Sequence, residues 1–414
     1  MKIRRKYLFY ALAFSSAIIA AGVSAIDATI SALYIQDPWA FGLSAFIVGA
    51  IVSLIFLLIF SIPTKSGRSL GSRLIDPSFK RLRLVKKEEL PYHFLAAAGN
   101  ATLTIGYFAL LSILGDPSSV LPFSQIVILY LLIIESVTEK DVPTFSDIQS
   151  SVIVTFGAIL GSISLSGGIN LESMLIVFLV INPAWVLLSV YQRKLKLLKI
   201  NDTPNDSLNI RFWNVVFSCF ITALIVFIYD IFSDTSHFQT GISASISHFN
   251  WVALTMGITF FSFTFYIRAL GIGKASITQA VRASSVLFAI PFSILLSITG
   301  IIPPYSTDPV MILIKIIGTT LVMMGIISSA LTLIKAYVFI NVKAGYPVED
   351  TIKKLWAIRG VSRVTATAGK YDFIVKIRIR TLVKGYEKII RKLEEIESIE
   401  KYKWESVLKE WENI

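Results

Sequence analysis

The chain has 414 residues, 54% of them apolar and only 16% charged, and its mean hydropathy is +0.70. A water-soluble protein of this length needs more charge to cover its surface, so these values exclude an ordinary soluble globule. The net charge of +12 falls in blocks between apolar stretches, a pattern of membrane orientation and not of a nucleic-acid surface. A single cysteine excludes an intrachain disulfide, and three scattered histidines (His93, His237, His248) suggest no metal cluster.

Taken from the start, Lys2, Arg4, Arg5 and Lys6 precede an apolar run from Tyr7 to about Ile30 that contains Val23-Ser24-Ala25. The pattern has the outline of a signal peptide, but the run is long enough to cross a bilayer and reads as an uncleaved first helix. Comparable runs lie near 40–62, 92–114, 118–135 and 148–165, then near 172–191, 212–231, 250–266, 276–298 and 309–331. The expected fold is therefore a polytopic all-α membrane domain of ten transmembrane helices over residues 1–333. Lys and Arg alternate across the connections: four before the first span, eight in 63–91, one in 136–147, five in 192–211 and two in 267–275. The connections 31–39, 115–117, 166–171, 232–249 and 299–308 have none. By the positive-inside rule the protein is multi-pass in the cytoplasmic membrane, with both termini cytoplasmic.

Ten spans with both ends on one side divide into five plus five, about 7–165 and 172–331, the second set inverted. Tyr107-Phe108-Ala109-Leu110 followed by Asp116-Pro117-Ser118-Ser119 is echoed, about 160 residues later, by Tyr266-Ile267-Arg268-Ala269-Leu270 and Lys274-Ala275-Ser276. Inverted repeats of this kind build secondary transporters with the solute near the midplane. Polar residues at helical spacing mark the expected path: Asn100, Thr104 and Tyr107; Thr255, Thr259, Ser262 and Tyr266; Thr278, Arg282 and Ser285 with Gln279 beside them; and Ser118, Pro122 and Gln125. The other reading of the Ser and Thr residues is self-bonding and helix packing. Arg282 has two readings, a guanidinium for a solute carboxylate or phosphate and a long side chain snorkelling to the interface. Lys315 reads as snorkelling, and Asp27 and Glu135, near helix ends, read as structural. With no clearly buried acid, proton coupling has no support in the sequence. Gly157 and Gly161 suit a close helix contact, within or between chains.

The segment 109–122 (Ala-Leu, then Pro-Ser-Ser-Val-Leu-Pro), Glu135, Gly157, and Gly318 with Gly325 together resemble the EamA-like branch of the drug/metabolite transporter superfamily. That resemblance implies a ten-helix transporter moving amino acids, other metabolites or drugs, often outward.

From Ala336 helical runs give way to alternation. The charge is concentrated here: residues 336–414 hold 16 of the 39 Lys/Arg and 11 of the 27 Asp/Glu. Val338, Ile340 and Val342 face one way and Tyr337, Phe339 and Asn341 the other, a strand. Val348, Ile352 and Leu355 form an amphipathic helix ended by Gly360, and strands at 361–368 and 373–380 flank Gly369-Lys370-Tyr371-Asp372. A helix through Leu382, Tyr386, Ile389, Leu393 and Ile396 and a strand at 399–407 complete βαββαβ, an α+β ferredoxin-like domain. The Gly-Lys-Tyr-Asp turn and the opening Ala-Tyr-Val-Phe-Ile resemble the Lrp/AsnC-type effector (RAM) domain. That resemblance implies pairing into a homodimer and an amino-acid effector near Gly369, Tyr371 and Asp372; the alternative for the turn is a structural role. The helix-turn-helix that precedes this domain in such regulators is absent, so no nucleic-acid partner is expected. Residues 332–335 read as a short tether.

The expected function is secondary transport, in the export direction, of a small metabolite, amino acids or related carboxylates first, regulated through the C-terminal domain. The alternative is a membrane sensor of amino acids that moves nothing. The partners are then the lipid bilayer and the solute. No enzyme and no cofactor is expected, since Gly271-x-Gly273-Lys274 lacks the context of a phosphate loop.

Overall fold

The computed structural model describes residues 5–65, 67–114, 120, 125–139, 145–162, 171–200, 203–301, 309–330, 332–358, 360–381 and 385–407. They form two compact units, Met1–Ile326 and Ile327–Ile414.

The first unit is helical, as its apolar runs dictate. α1 (Arg5–Leu33) is followed by α2 (Pro38–Phe60), whose start is set by Asp37: its carboxylate accepts from the Trp39 amide at 3.0 Å and proline fills the first helical position. A short α3 (Leu70–Leu74) lies in the basic connection, and α4 (Leu90–Leu114), α5 (Val127–Glu139) and α6 (Phe145–Ser162) follow. Next come α7 (Leu171–Leu175), a π-helical turn (Ile176–Ile181) and α8 (Asn182–Leu197), then a two-stranded antiparallel ribbon of β1 (Lys199–Ile200) and β2 (Thr203–Pro204). Asp206 caps α9 (Ser207–Ser233), accepting from the Asn209 amide at 2.7 Å. α10 (His237–Ser247), α11 (Phe249–Leu270), α12 (Ala275–Arg282), α13 (Ser285–Ile298) and α14 (Pro309–Ala330) complete the unit.

Among the described residues seven segments are long and apolar enough to cross a membrane: Tyr7–Leu33, Pro38–Phe60, Leu90–Leu114, Ile176–Leu197, Ser207–Ser233, Phe249–Leu270 and Ala275–Ile298. The chain thus has the make-up of a multi-pass membrane protein. The other three expected spans fall on α5, α6 and α14, of which α6 and α14 hold shorter apolar stretches, Ile148–Gly157 and Ile312–Gly325; part of 118–135, including Ser118 and Pro122, lies outside the described residues, as does the Glu135 side chain. Three local readings are corrected. The expected connection 232–249 contains helix α10, because it carries enough apolar residues to pack on α2: Gly241 lies against Leu43 and Ala40. The span 276–298 is not one helix but breaks at residues 283–284, between α12 and α13. The span 172–191 contains the π turn, which ordinary helical periodicity does not reveal.

Two glycines show how tightly helices meet. A Cβ on Gly99 of α4 would sit 2.6 Å from the Ala184 carbonyl oxygen and 2.8 Å from the Leu188 amide of α8. Gly157 of α6 faces Gly318 and Val322 of α14 in the same way, so that contact is made within the chain. Because the neighbours are backbone, neither can yield. Gly99→Ala should cost about 1–3 kcal/mol through overpacking, read as a lower melting temperature of the purified full chain. An unchanged melting temperature would mean that the two helices can part at no cost.

One end of the bundle is held by a buried polar network. Lys196 donates to Asp76 Oδ2 at 2.6 Å and to the Asn205 carbonyl at 2.6 Å, and the Ser207 amide and hydroxyl donate to the same carboxylate oxygen. Arg83 makes a two-pronged pair with Glu89, both contacts at 2.7 Å, and also donates to Asn205 Oδ1. The 76–89 segment is thereby tied to the end of α8 and the start of α9. At a different set of helix ends, His237 Nδ1 meets Asp37 Oδ2 at 2.5 Å, and the Trp39 and Tyr229 rings stack.

The second unit has the order β3 (Thr332–Val342), α15 (Val348–Trp356), β4 (Val361–Ala366), β5 (Phe373–Thr381), α16 (Gly385–Glu394), β6 (Ile399–Ser406). Its sheet runs β4-β5-β3-β6 with every pair antiparallel. Alternation puts Ala336, Val338 and Ile340 of β3 and Phe373, Val375 and Ile377 of β5 on the core face, against Leu355, Ile389, Leu393 and Ile396. Residues 332–335 are not a tether: they are the first residues of β3, with Thr332 opposite Thr381 and Lys335 opposite Arg378.

Candidate functional site

The helices of the first unit enclose a cavity with about 130 Å³ of space open to the centres of water molecules. That is enough for several waters or a small solute. Polar stripes expected on separate helices meet on its wall: Asn100, Thr104 and Tyr107 from α4, Thr259 and Ser262 from α11, Arg282 from α12, Ser285 from α13, and Gln125. Four expected residues stand off the wall. Gln279 is fully buried and donates to Gln125 Oε1 at 3.1 Å, holding that side chain. Tyr266 is fully buried, its hydroxyl 2.8 Å from Ser189 Oγ. Thr255 hydrogen-bonds Asp27, and the Thr278 hydroxyl donates to the Lys274 carbonyl one turn back.

Arg282 does not snorkel. It is only 5% exposed, and its guanidinium carbon lies 4.8, 5.2 and 5.0 Å from the ring centres of Trp185, Phe263 and Tyr266. Three aromatic rings hold the cation in place where water is scarce. Its Nε has no hydrogen-bond partner among the described residues. Lys315 does not reach out of the bundle either, being 7% exposed.

Two charged residues on the cavity wall were assigned elsewhere by sequence reasoning. Arg211 was counted as a loop cation just before a span; it lies in the first turns of α9, 2% exposed, its guanidinium 4.4 Å from the Phe263 ring centre. Its Nε and Nη1 also lack partners among the described residues. The signal was available, since the Asp206-Ser207 cap starts the helix a full turn before Arg211. Asp27 was read as structural, near a helix end. It lies inside α1, 5% exposed, on the cavity wall, and accepts from Thr255 Oγ1 at 2.6 Å. A buried acid is therefore present. Ser24, one turn earlier on α1, lines the same wall, and that pairing was the missed stripe. The Tyr107 hydroxyl is buried beside Ser24 and Asp27.

Helix irregularities border the cavity. Arg282 ends α12, Ser285 begins α13, and Ile181 ends the π turn, and all three line it. Chemically, the described residues of the wall offer guanidinium, indole and amide donors together with the Asp27 carboxyl.

In the C-terminal unit the expected effector residues form one exposed turn. The Asp372 amide donates to the Ile340 carbonyl at 2.9 Å, and Asp372 Oδ2 accepts from the Val342 amide at 2.7 Å. The Lys370 carbonyl accepts from Asn341 at 3.0 Å, and the Tyr371 ring packs on Phe339 at 5.1 Å. Tyr371 and Asp372 thus pin the β4–β5 connection to the end of β3, while Gly369 has open space where a Cβ would stand.

None of the curated proteins compared with the chain matches it. Among solved structures, one titled only "Crystal structure of protein" is similar over 78% of this chain and 96% of that chain, at 14% identity and a TM-score of 0.48. Residues 335–413 match the family model described as the Lrp/AsnC ligand binding domain, and that domain forms the C-terminal end of this chain.

Proposed function

We propose that the chain is a secondary transporter of a small carboxylate-bearing metabolite, amino acids first among them, with its activity set by ligand binding to the C-terminal domain. One observation carries the reading: two buried guanidiniums and one buried carboxylate face a single internal cavity walled by apolar helices that break beside it. Charged groups inside a membrane-spanning bundle are costly and mark solute or ion paths. Cation-free and cation-rich connections alternate along the sequence, which supports cytoplasmic termini in the cytoplasmic membrane. The EamA-like ten-span, five-plus-five arrangement belongs to this reading and not to the seven long helices alone. So do the ferredoxin-like description of the C-terminal unit, to which its strand order is suited, and its pairing into a dimer as a RAM domain.

The test is solute counterflow in proteoliposomes containing the full chain, with a panel of amino acids and simple carboxylates. Labelled solute should accumulate transiently against an unlabelled internal load. If nothing is moved but an amino acid binds the C-terminal domain, the chain is a sensor. The Lrp/AsnC match is the observation that favours this second reading. For the regulatory part, saturating the domain with its amino-acid ligand should change the counterflow rate, and an unchanged rate would remove regulation from the reading.

A further inference from the structure

The charges on the cavity wall do not cancel. Among the described residues that line it, the carboxyl and guanidinium groups are those of Asp27, Arg211 and Arg282. Neither arginine forms an ion pair with Asp27 or with any other described acid. Asp27 is instead satisfied by a neutral hydroxyl, that of Thr255. The two guanidiniums are held near one another, since both stack on the ring of Phe263, at 4.4 and 5.2 Å. Four buried nitrogens in this cluster have no acceptor among the described residues: Arg211 Nε and Nη1, Arg282 Nε and Trp185 Nε1. Two guanidiniums against one ring, with donors unpaired, are costly, and an anion between them or beside them would lower that cost.

From this we infer that the solute has two acid groups and one ammonium, the chemistry of an acidic amino acid. Its two carboxylates engage Arg211 and Arg282, with the Trp185 indole N–H as a further donor, and its ammonium engages Asp27. Such a solute, of net charge −1, brings one carboxylate to each guanidinium and its ammonium to the Asp27 carboxyl. A neutral amino acid leaves one guanidinium without a counter-charge. A dicarboxylate without an amine leaves Asp27 without an ionic partner. Buried unpaired charge is penalised in both cases, so discrimination arises from what is left unsatisfied as much as from what is bound. The inference rests on the cavity being the solute site of the transporter reading.

The experiment uses the purified full chain in lipid nanodiscs, with equilibrium binding of L-glutamate, L-aspartate, L-alanine and succinate, alongside counterflow of the same four in proteoliposomes. The acidic amino acids should bind at least about tenfold more tightly than alanine or succinate, as expected for one charge-assisted pair. Arg211→Gln and Arg282→Gln should each remove that preference against alanine, and Asp27→Asn should remove it against succinate. A second readout separates binding from folding. Arg211→Met should raise the melting temperature of the ligand-free protein, because it removes an unpaired buried charge, while weakening glutamate binding. A fall in that melting temperature would assign Arg211 a merely structural role and overturn the inference. Alanine or succinate binding as tightly as glutamate, in a fraction lost in Arg282→Gln and so assigned to the cavity, would overturn it too, as would no binding of any of the four. Glutamate bound but not moved would uphold the inference and remove transport, whereas alanine moved in preference to glutamate would keep transport and remove the inference.

Discussion

Replacing Arg282 by alanine should lower the initial rate of counterflow by roughly tenfold to a hundredfold, the loss expected when a charged hydrogen-bond donor to a carboxylate is removed. The position leaves little room for compensation. Arg282 ends α12 at the break before α13, and the rings of Trp185, Phe263 and Tyr266 surround its guanidinium. Lysine at this site should not restore the rate, because a compact ammonium neither stacks flat among three rings nor presents a planar fork to a carboxylate. The measurement is paired with a melting curve for each variant. Alanine removes an unpaired cation from a buried site, so the variant should melt no lower than wild type by more than a few degrees. A folded Arg282→Ala protein that moves solute at the wild-type rate would take Arg282 out of the path.

The largest effect on stability should come from Asp76. Removing one partner of a buried ion pair costs about 3–5 kcal/mol, since the other charge is left uncompensated. Asp76→Ala leaves Lys196, 8% exposed, with the Asn205 carbonyl but without the carboxylate it is paired to. The double variant Asp76→Leu, Lys196→Met should recover much of the loss, because it removes the buried charges together. The same pair predicts the response to acid. Burial alone favours the protonated acid, but the Lys196 ammonium and the Ser207 donors outweigh it and hold the Asp76 carboxyl down at about 2, from an ordinary 3.8. A carboxylate depressed in the folded state stabilises it above the unfolded value, and that contribution is lost as the pH falls through the folded one. About 2 kcal/mol should therefore disappear between about pH 4 and pH 2. Melting temperatures of wild type and Asp76→Asn, taken from pH 6 downward, should converge at the acid end. Curves that stay parallel would show that the pair does not govern acid stability.

Much of the architecture was legible because it follows from solvent. Long apolar runs with a cation-free connection on one side are forced by the bilayer, and alternation from Ala336 onward is forced by a half-buried sheet. The sheet core of Ala336, Val338, Ile340, Phe373, Val375 and Ile377 lies where alternation put it. Polar stripes were legible for the same reason, since a cavity wall has a helical period: Asn100, Thr104 and Tyr107 lie on one face and line one space. What periodicity could not give was set by tertiary contact. Arg211 and Lys196 look like loop cations in sequence; only the close approach of α9 and α8 to their neighbours turns one into a cavity residue and the other into a buried pair. Asp27 looks like a helix-end acid until Thr255 of α11, more than two hundred residues away, meets it. The π turn at Ile176–Ile181 leaves no mark on hydropathy, because it lies inside an apolar segment. At the C-terminal turn the sequence suggested a ligand role for Tyr371 and Asp372, and the geometry gives both a structural task as well, fastening the turn to β3.

The most direct measurement is counterflow by the full chain in proteoliposomes loaded with unlabelled L-glutamate and given a trace of labelled L-glutamate outside. If the cavity is a solute path, label should rise above its equilibrium level inside and then decay, and Arg282→Ala should slow the rise. Label that never exceeds equilibrium, for glutamate and for every other amino acid and carboxylate tried with folded protein, would contradict transport through this cavity.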